Sequence, residues 1–450
     1  MSDFNQPLRS ESRRLLSLAW PIALTQLQWI ILNVIDVVMV GHASTVELAY
    51  FSAGRMGNWV ALIVGIAALS GVQVFTARAD GAGDMAACGS VFRQGVLLAL
   101  VMGFGMAIPT FIFAREMLGA AGVPADLADG GATVLKIMAL NFPGAFLLVA
   151  ASLYLEGLSR PRVAMLTAAL TLPINIIANG FLVFGWWGAP ELGAAGAALG
   201  TFLANLVGVA VLLTYVRITR PEDCRGWRRA WRDGQDLRRF GFAPGLASGL
   251  ENAGFAVLIA LSTQVGAATA AAFQAMLSVH VLTMTLSTGL ASAAAVRIGN
   301  AIGAGEIDEI ARRGWLAAGL TVGLTLIWGV IYMLFAPALA APSSPDPAVI
   351  AATVVMLGMM AWFLWADGVQ MVMVFSLRAA GDQVAAGFIQ VTSYFAVMSL
   401  AGVLLVGPMG AAGLALAMGL GLATAAVAGA ARFAWITRKH SDLLVRLRAH

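Results

Sequence analysis

Twelve apolar runs follow one another along the chain, near residues 15–40, 48–76, 94–114, 132–155, 163–185, 193–216, 241–265, 271–296, 314–336, 348–376, 384–406 and 410–436. At 1.5 Å per residue, a helix of about 20 apolar residues crosses the roughly 30 Å hydrocarbon core of a bilayer. The connections are short and carry Gly, Pro, Asn and Asp, as in Gly81-Ala82-Gly83-Asp84, Pro342-Ser343-Ser344-Pro345 and Gly407-Pro408. The one long polar stretch is 217–239. This pattern predicts an all-α membrane protein with twelve transmembrane helices.

Composition removes the alternatives. The chain has 450 residues, of which 60% are hydrophobic and only 11% charged. A soluble domain carries roughly 25% charged residues, so neither a soluble enzyme nor a disordered chain fits. The net charge of +4 is a matter of sidedness. Of 27 Lys and Arg, 24 fall on the side of the N-terminus when the spans are taken alternately; Arg55, Arg115 and Lys136 fall on the other. Basic residues stay on the cytoplasmic side during insertion. Both termini are therefore expected in the cytoplasm of a multi-pass protein of a bacterial-type inner membrane, and no nucleic-acid partner is needed to explain the charge. Cys88 and Cys224 form neither a disulfide framework nor a metal-ligand spacing. The N-terminus carries Arg9, Arg13 and Arg14 before an apolar run too long for a signal peptide.

The segment 217–239 holds eight arginines together with Trp227 and Trp231. It reads as a basic cytoplasmic linker lying on anionic lipid, its tryptophans toward the acyl chains. It separates an N-terminal lobe (1–216, spans one to six) from a C-terminal lobe (240–450, spans seven to twelve). The halves resemble each other at an offset of about 222 residues. Gly81-Ala82-Gly83-Asp84 matches Gly303-Ala304-Gly305-Glu306, Pro21 matches Pro244, and Gly193-Ala194-Ala195-Gly196 matches Gly410-Ala411-Ala412-Gly413. Six spans per half make the repeat parallel, which predicts two six-helix lobes related by a pseudo-two-fold axis along the membrane normal, a transporter architecture.

Charges inside spans are expensive, about 2.5–3.5 kcal/mol or more each, and are functional by default. Asp36, Glu251 and Asp367 are such charges. Glu251 follows Arg239 by roughly 18 Å of helix and Asp367 precedes Arg378 by roughly 16 Å, so both are expected near mid-membrane. With no basic residue expected at that depth, the two acids predict a coupling site for H⁺ or Na⁺. Asp36 lies about 33 Å along its helix from Arg14, in the outer half of the membrane. Asn175 and Asn179 share a helix face, and with Thr201 they match its depth. One carboxylate with neutral oxygens suits a proton or monovalent cation. The competing reading for the asparagines and Thr201 is interhelical hydrogen bonding.

Gln28, Trp29, His280, Trp362, Phe363 and Trp365 are further candidates for lining a substrate path, the aromatics by cation–π contact with an organic cation. Packing is the competing role for each. No nucleotide-binding, metal-cluster or hydrolase motif is present in the sequence. The expectation is a protein that is not an enzyme, has no cofactor, and draws its energy from an ion gradient.

These residues give the chain a family resemblance over nearly its full length. It resembles MATE (multidrug and toxic compound extrusion) exporters of the NorM type. The matching stretches are Asp36-Val37-Val38-Met39-Val40-Gly41-His42, Gly81-Ala82-Gly83-Asp84, Pro173-Ile174-Asn175-Ile176-Ile177-Ala178-Asn179, Glu251, Arg297-Ile298-Gly299-Asn300 with Gly303-Ala304-Gly305, and Asp367 followed by Ser376-Leu377-Arg378. The resemblance implies antiport of drugs against Na⁺ or H⁺ by alternating access. It implies a C-lobe cation site at Glu251 and Asp367, and an N-lobe proton or cation site at Asp36, Asn175, Asn179 and Thr201. A tyrosine of the C-lobe site in some members is Phe363 here, which weakens the case for sodium at that site. The expected partners are small organic drugs, often cationic, and membrane lipid, with the protein working as a monomer. A lipid-linked precursor flippase of the same superfamily is the alternative. It should need a strongly cationic cavity.

Overall fold

The computed structural model describes residues 2–227 and 230–439. Arg228 and Arg229 of the basic segment, and residues 440–450 with Arg446 and Arg448, lie outside the described residues. Every regular element among the described residues is helical. In chain order these are α1 (Ser2–Ala43), α2 (Thr45–Leu69), α3 (Gly71–Gly81), α4 (Met85–Ile112), α5 (Ala114–Ala120), α6 (Ala125–Leu140), α7 (Phe142–Gly157), α8 (Pro161–Phe184), α9 (Gly193–Thr219) and the short α10 (Ala230–Asp233). Then come α11 (Gln235–Val265), α12 (Ala267–Ala304), α13 (Ile307–Ala340), α14 (Pro347–Ala361), α15 (Leu364–Ala379), α16 (Gln383–Gln390), a π-helical stretch Val391–Met398, α17 (Ser399–Met409) and α18 (Ala411–Lys439).

Ten of the helical segments are long and apolar enough to cross a membrane unbroken, and two bent pairs bring the number to as many as twelve. The pairs are α6–α7, bent by 40°, and α14–α15, bent by 57°. Each is the fourth span of its half. The starts of α2, α4, α6 and α8 recur 222 residues later as the starts of α12, α13, α14 and α16, so the sequence repeat is a repeat of helices. The first bend follows from Pro143 in the opening turn of α7, which removes a backbone donor and crowds the preceding turn. The second has no proline. It centres on Phe363, whose φ of −109° and ψ of −3° lie well away from the ideal helix values of about −63° and −42°.

Local chemistry sets the ends. Asp84 accepts from the Ala87 amide at 2.9 Å and Asp346 from the Ala348 amide at 2.9 Å, capping α4 and α14. Gly305, at φ +78°, closes α12 in the left-handed conformation. The chain divides into two compact units, one of Leu24–Asp80 with Asp84–Gly245, the other of the remaining described residues. The first packs around Phe92, Phe142, Phe146 and Tyr154, the second around Tyr332, Met356, Met360, Tyr394 and Met398. Large apolar side chains are also exposed, among them Leu166, Ile218, Ile327, Leu404 and Phe388. Such a surface is stable only where lipid is the solvent.

The basic segment is more anchored than a loop lying on lipid. α9 runs to Thr219 and α11 begins at Gln235, so helices take both of its ends. Asp223, 1% exposed, accepts from the Tyr154 hydroxyl and pairs with Arg220 at 2.6 Å. Its carbonyl accepts from Arg93 Nη1 at 3.0 Å. Trp227 and Trp231 are partly exposed, but Trp227 Nε1 donates to the Cys224 carbonyl and Trp231 carries the Arg238 guanidinium on its ring.

Candidate ion-coupling sites

In the first unit, Asp36 of α1 is 4% exposed. Its Oδ1 accepts from Asn179 Nδ2 at 2.6 Å and its Oδ2 from Thr201 Oγ1 at 2.8 Å. Asn175 Nδ2 donates to Thr201 Oγ1 at 3.1 Å, and Asn175 Oδ1 accepts from Asn179 Nδ2 at 3.3 Å. A threonine hydroxyl has one proton. Because Asn175 donates to it, that proton is directed at Asp36. The other three residues chosen from the sequence therefore converge on the Asp36 carboxylate, which receives two short charge-assisted bonds.

The helices make this possible in particular ways. Asn175 and Asn179, one turn apart on α8, are fully buried on the face toward α9. Pro173 precedes them and removes a backbone hydrogen bond from that part of α8. Gly200 on α9 is what sequence reasoning missed. A Cβ there would collide with Asn179 Oδ1, so glycine leaves the room in which the amide takes up this position beside Asp36. Gln28 lies nearby in the same unit, its Nε2 donating to Thr171 Oγ1 at 3.3 Å, and Trp29 is partly buried.

In the second unit, Asp367 is 1% exposed in the first turn of α15. The bend after α14 creates that helix start, and the positive end of the helix dipole favours a negative charge there. Gln370 Nε2 donates to Asp367 Oδ1 at 3.3 Å. His280 of α12, 4% exposed, holds Nε2 at 3.8 Å from Asp367 Oδ2, beyond hydrogen-bond reach. Asp367 Oδ2, His280 Nδ1 and Gln370 Oε1 are buried and lack a hydrogen-bond partner among the described residues. His280 thus sits against the acid, away from any open surface. Phe363 lies at the bend, its ring filling the space in front of Gly419 on α18. Trp362 and Trp365 are exposed.

Glu251 of α11 is partly buried, and the expectation that it lacks a basic partner is corrected. Gln390 Nε2 donates to Glu251 Oε2 at 3.2 Å, while Gln390 Oε1 accepts from Arg378 Nη2 at 2.6 Å. One amide therefore connects the carboxylate to a guanidinium only 6% exposed. Among the described residues no hydrogen bond joins Glu251 to Asp367.

Residues 21–181 and 245–401 match the model of the MatE family. The chain belongs to the MatE family. It is 31% identical to a probable multidrug resistance protein NorM of Caulobacter vibrioides, over 87% of this chain and 84% of that one. It is 28% identical to the multidrug resistance protein PmpM of Pseudomonas aeruginosa, over 83% and 80%. The crystal structure of the eukaryotic MATE transporter AtDTX14 superposes with a TM-score of 0.87 at 18% identity, covering 98% of this chain and 99% of that one. That likeness establishes the fold: this MatE chain is an all-α, multi-span membrane protein.

Proposed function

We propose that this MatE protein is a secondary multidrug exporter of a bacterial inner membrane, antiporting organic, often cationic, drugs against H⁺ or Na⁺ by alternating access. In this reading it works as a monomer, with 1–216 and 240–450 as lobes joined by 217–239. The names of its relatives support the drug cargo. The observation that carries the reading is the Asp36 cluster. Two donors aimed at a buried carboxylate favour its ionised form while burial favours the neutral one, so its charge is held in a balance that an arriving ion can tip. A proton arriving on either oxygen removes the negative charge that makes the Thr201 and Asn179 bonds strong, which loosens the hold of the α8–α9 pair on α1. A cation seated among the same oxygens has a similar effect. Such a shift needs different ion affinities in the two conformations, since equal affinity shifts nothing.

Glu251 and Asp367 are assigned the second coupling site, H⁺ or Na⁺ being the ion. The test is efflux of a fluorescent organic cation from proteoliposomes under separately imposed pH and Na⁺ gradients. Asp36→Asn, Glu251→Gln and Asp367→Asn should each abolish gradient-driven efflux while leaving drug binding in detergent. Efflux at wild-type rates in all three would end the coupling assignment, and no response to either gradient would end the antiport reading.

A further inference from the structure

A cavity of about 560 Å³ opens at the end of α9, outside the acidic clusters. Phe92 and Val96 of α4 and Leu213 of α9 form its apolar part; Arg217, Arg225 and Trp227 also line it. From this geometry we infer a binding site for one anionic phospholipid, its phosphate on Arg217 and Arg225 and one acyl chain against Phe92, Val96 and Leu213.

The site is organised before any ligand arrives. Asp223, buried and tied to Tyr154, Arg220 and Arg93, fixes the turn that presents Arg225. The Asp223 charge is taken up by Arg220, and Glu222 of the same turn is not a lining residue. Arg217 and Arg225 have no side-chain hydrogen bond or ion pair among the described residues, which leaves two uncompensated positive charges at one rim. Trp227 spends its only polar atom on the Cys224 carbonyl, at 2.8 Å, so its indole offers the cavity an apolar wall.

The cavity also has the dimensions of an amphiphile's site. Val96 is about 16 Å into α4 and Leu213 about 9 Å back from the end of α9. The apolar residues thus lie in the hydrocarbon layer when Arg217, in the last turn of the span, is at headgroup level. A soluble anion would use the rim and gain nothing from the apolar wall. A zwitterionic lipid would gain the wall but cancel its own charge at the rim.

Tryptophan quenching in vesicles tests this. Phosphatidylglycerol with brominated acyl chains should quench more than brominated phosphatidylcholine at equal mole fraction, and Trp227→Phe should erase the difference. Each arginine removed, as Arg217→Gln or Arg225→Gln, should lower the preference for phosphatidylglycerol about five-fold. Leu213→Trp, which fills the apolar part without touching charge, should lower occupancy by both lipids in native mass spectrometry. Both arginines are exposed, so these variants leave the fold intact. Equal quenching by the two lipids, an unchanged preference in the double arginine variant, or displacement of the lipid by millimolar glycerol phosphate would overturn the site.

Discussion

Thr201 and Gln390 show how much a single polar atom can carry here. Thr201→Val keeps the side-chain shape and removes the hydroxyl that donates to Asp36 at 2.8 Å. A hydrogen bond to a charged group is worth about 1.5–3 kcal/mol, so ion-driven efflux should fall roughly ten-fold or more at equal expression. Undiminished efflux in cells would make Thr201 a packing residue. Gln390 has a different task, because each end of its amide serves a charged group. Gln390→Leu leaves both Arg378 and Glu251 without that bond, at about 1–3 kcal/mol for each orphaned group. Its thermal midpoint in detergent should drop below that of the wild type. Gln390→Glu should restore the midpoint through Arg378, yet still fail in coupled efflux because it sets a second carboxylate against Glu251. A Gln390→Leu protein as stable as wild type would remove Gln390 from the site.

At the scale of helices, the sites depend on how closely two of them can approach and where one of them breaks. Gly200→Ala alters no polar group, yet its methyl would meet Asn179 Oδ1. It should therefore impair efflux as Thr201→Val does, and the two substitutions should be far from additive because they act on one carboxylate. Independent, additive losses in the double variant would place Gly200 outside the Asp36 cluster. The spans, the 222-residue offset and the shared face of Asn175 and Asn179 were legible in the sequence, since hydropathy and helical period report burial and facing directly. The bend at Asn141 carries a sequence mark, Asn141 with Pro143, that hydropathy alone passes over; the bend at Phe363 carries none, because apolar composition runs unbroken across it and hydropathy has no direction. Arg378 stood at the end of an apolar run and so counted as one more cytoplasmic charge. Its burial comes from α16 packing over it, a tertiary fact. Gln390 was hidden for the same reason: an amide near the start of a span is ordinary until its two partners are seen.

At the scale of the whole chain, the remaining question is which face of the membrane each connection meets. The uneven distribution of 24 against 3 basic residues predicts the α9–α11 connection on the cytoplasmic side and the connection before α14 outside. A labelling experiment needs a background without native thiols, and the structure says which replacements are mild. Cys88 is fully buried in the core of its unit and its sulfur makes one weak hydrogen bond, 4.0 Å from the Thr76 carbonyl, so Cys88→Ala removes no strong polar contact and the thiol itself is shielded from reagent. Cys224 is partly buried in the connection itself. Burial first, and the Asp223 carboxylate second, push its thiol above the ordinary range. Less thiolate at neutral pH means slow reaction with maleimide, and Cys224→Ser removes even that background. Arg232 and Ser343 are both exposed and lie in the two connections. In this background a membrane-impermeant maleimide should label Ser343→Cys in intact spheroplasts and spare Arg232→Cys until the membrane is opened by detergent. An even number of crossings separates Arg232 from the N-terminus and an odd number separates Ser343 from it, so the pair tests the count as well as the orientation. Labelling of both from outside would break the alternation of twelve spans. Labelling of Arg232→Cys alone would keep the count and invert the protein, and the basic residues would then lie on the side that insertion disfavours.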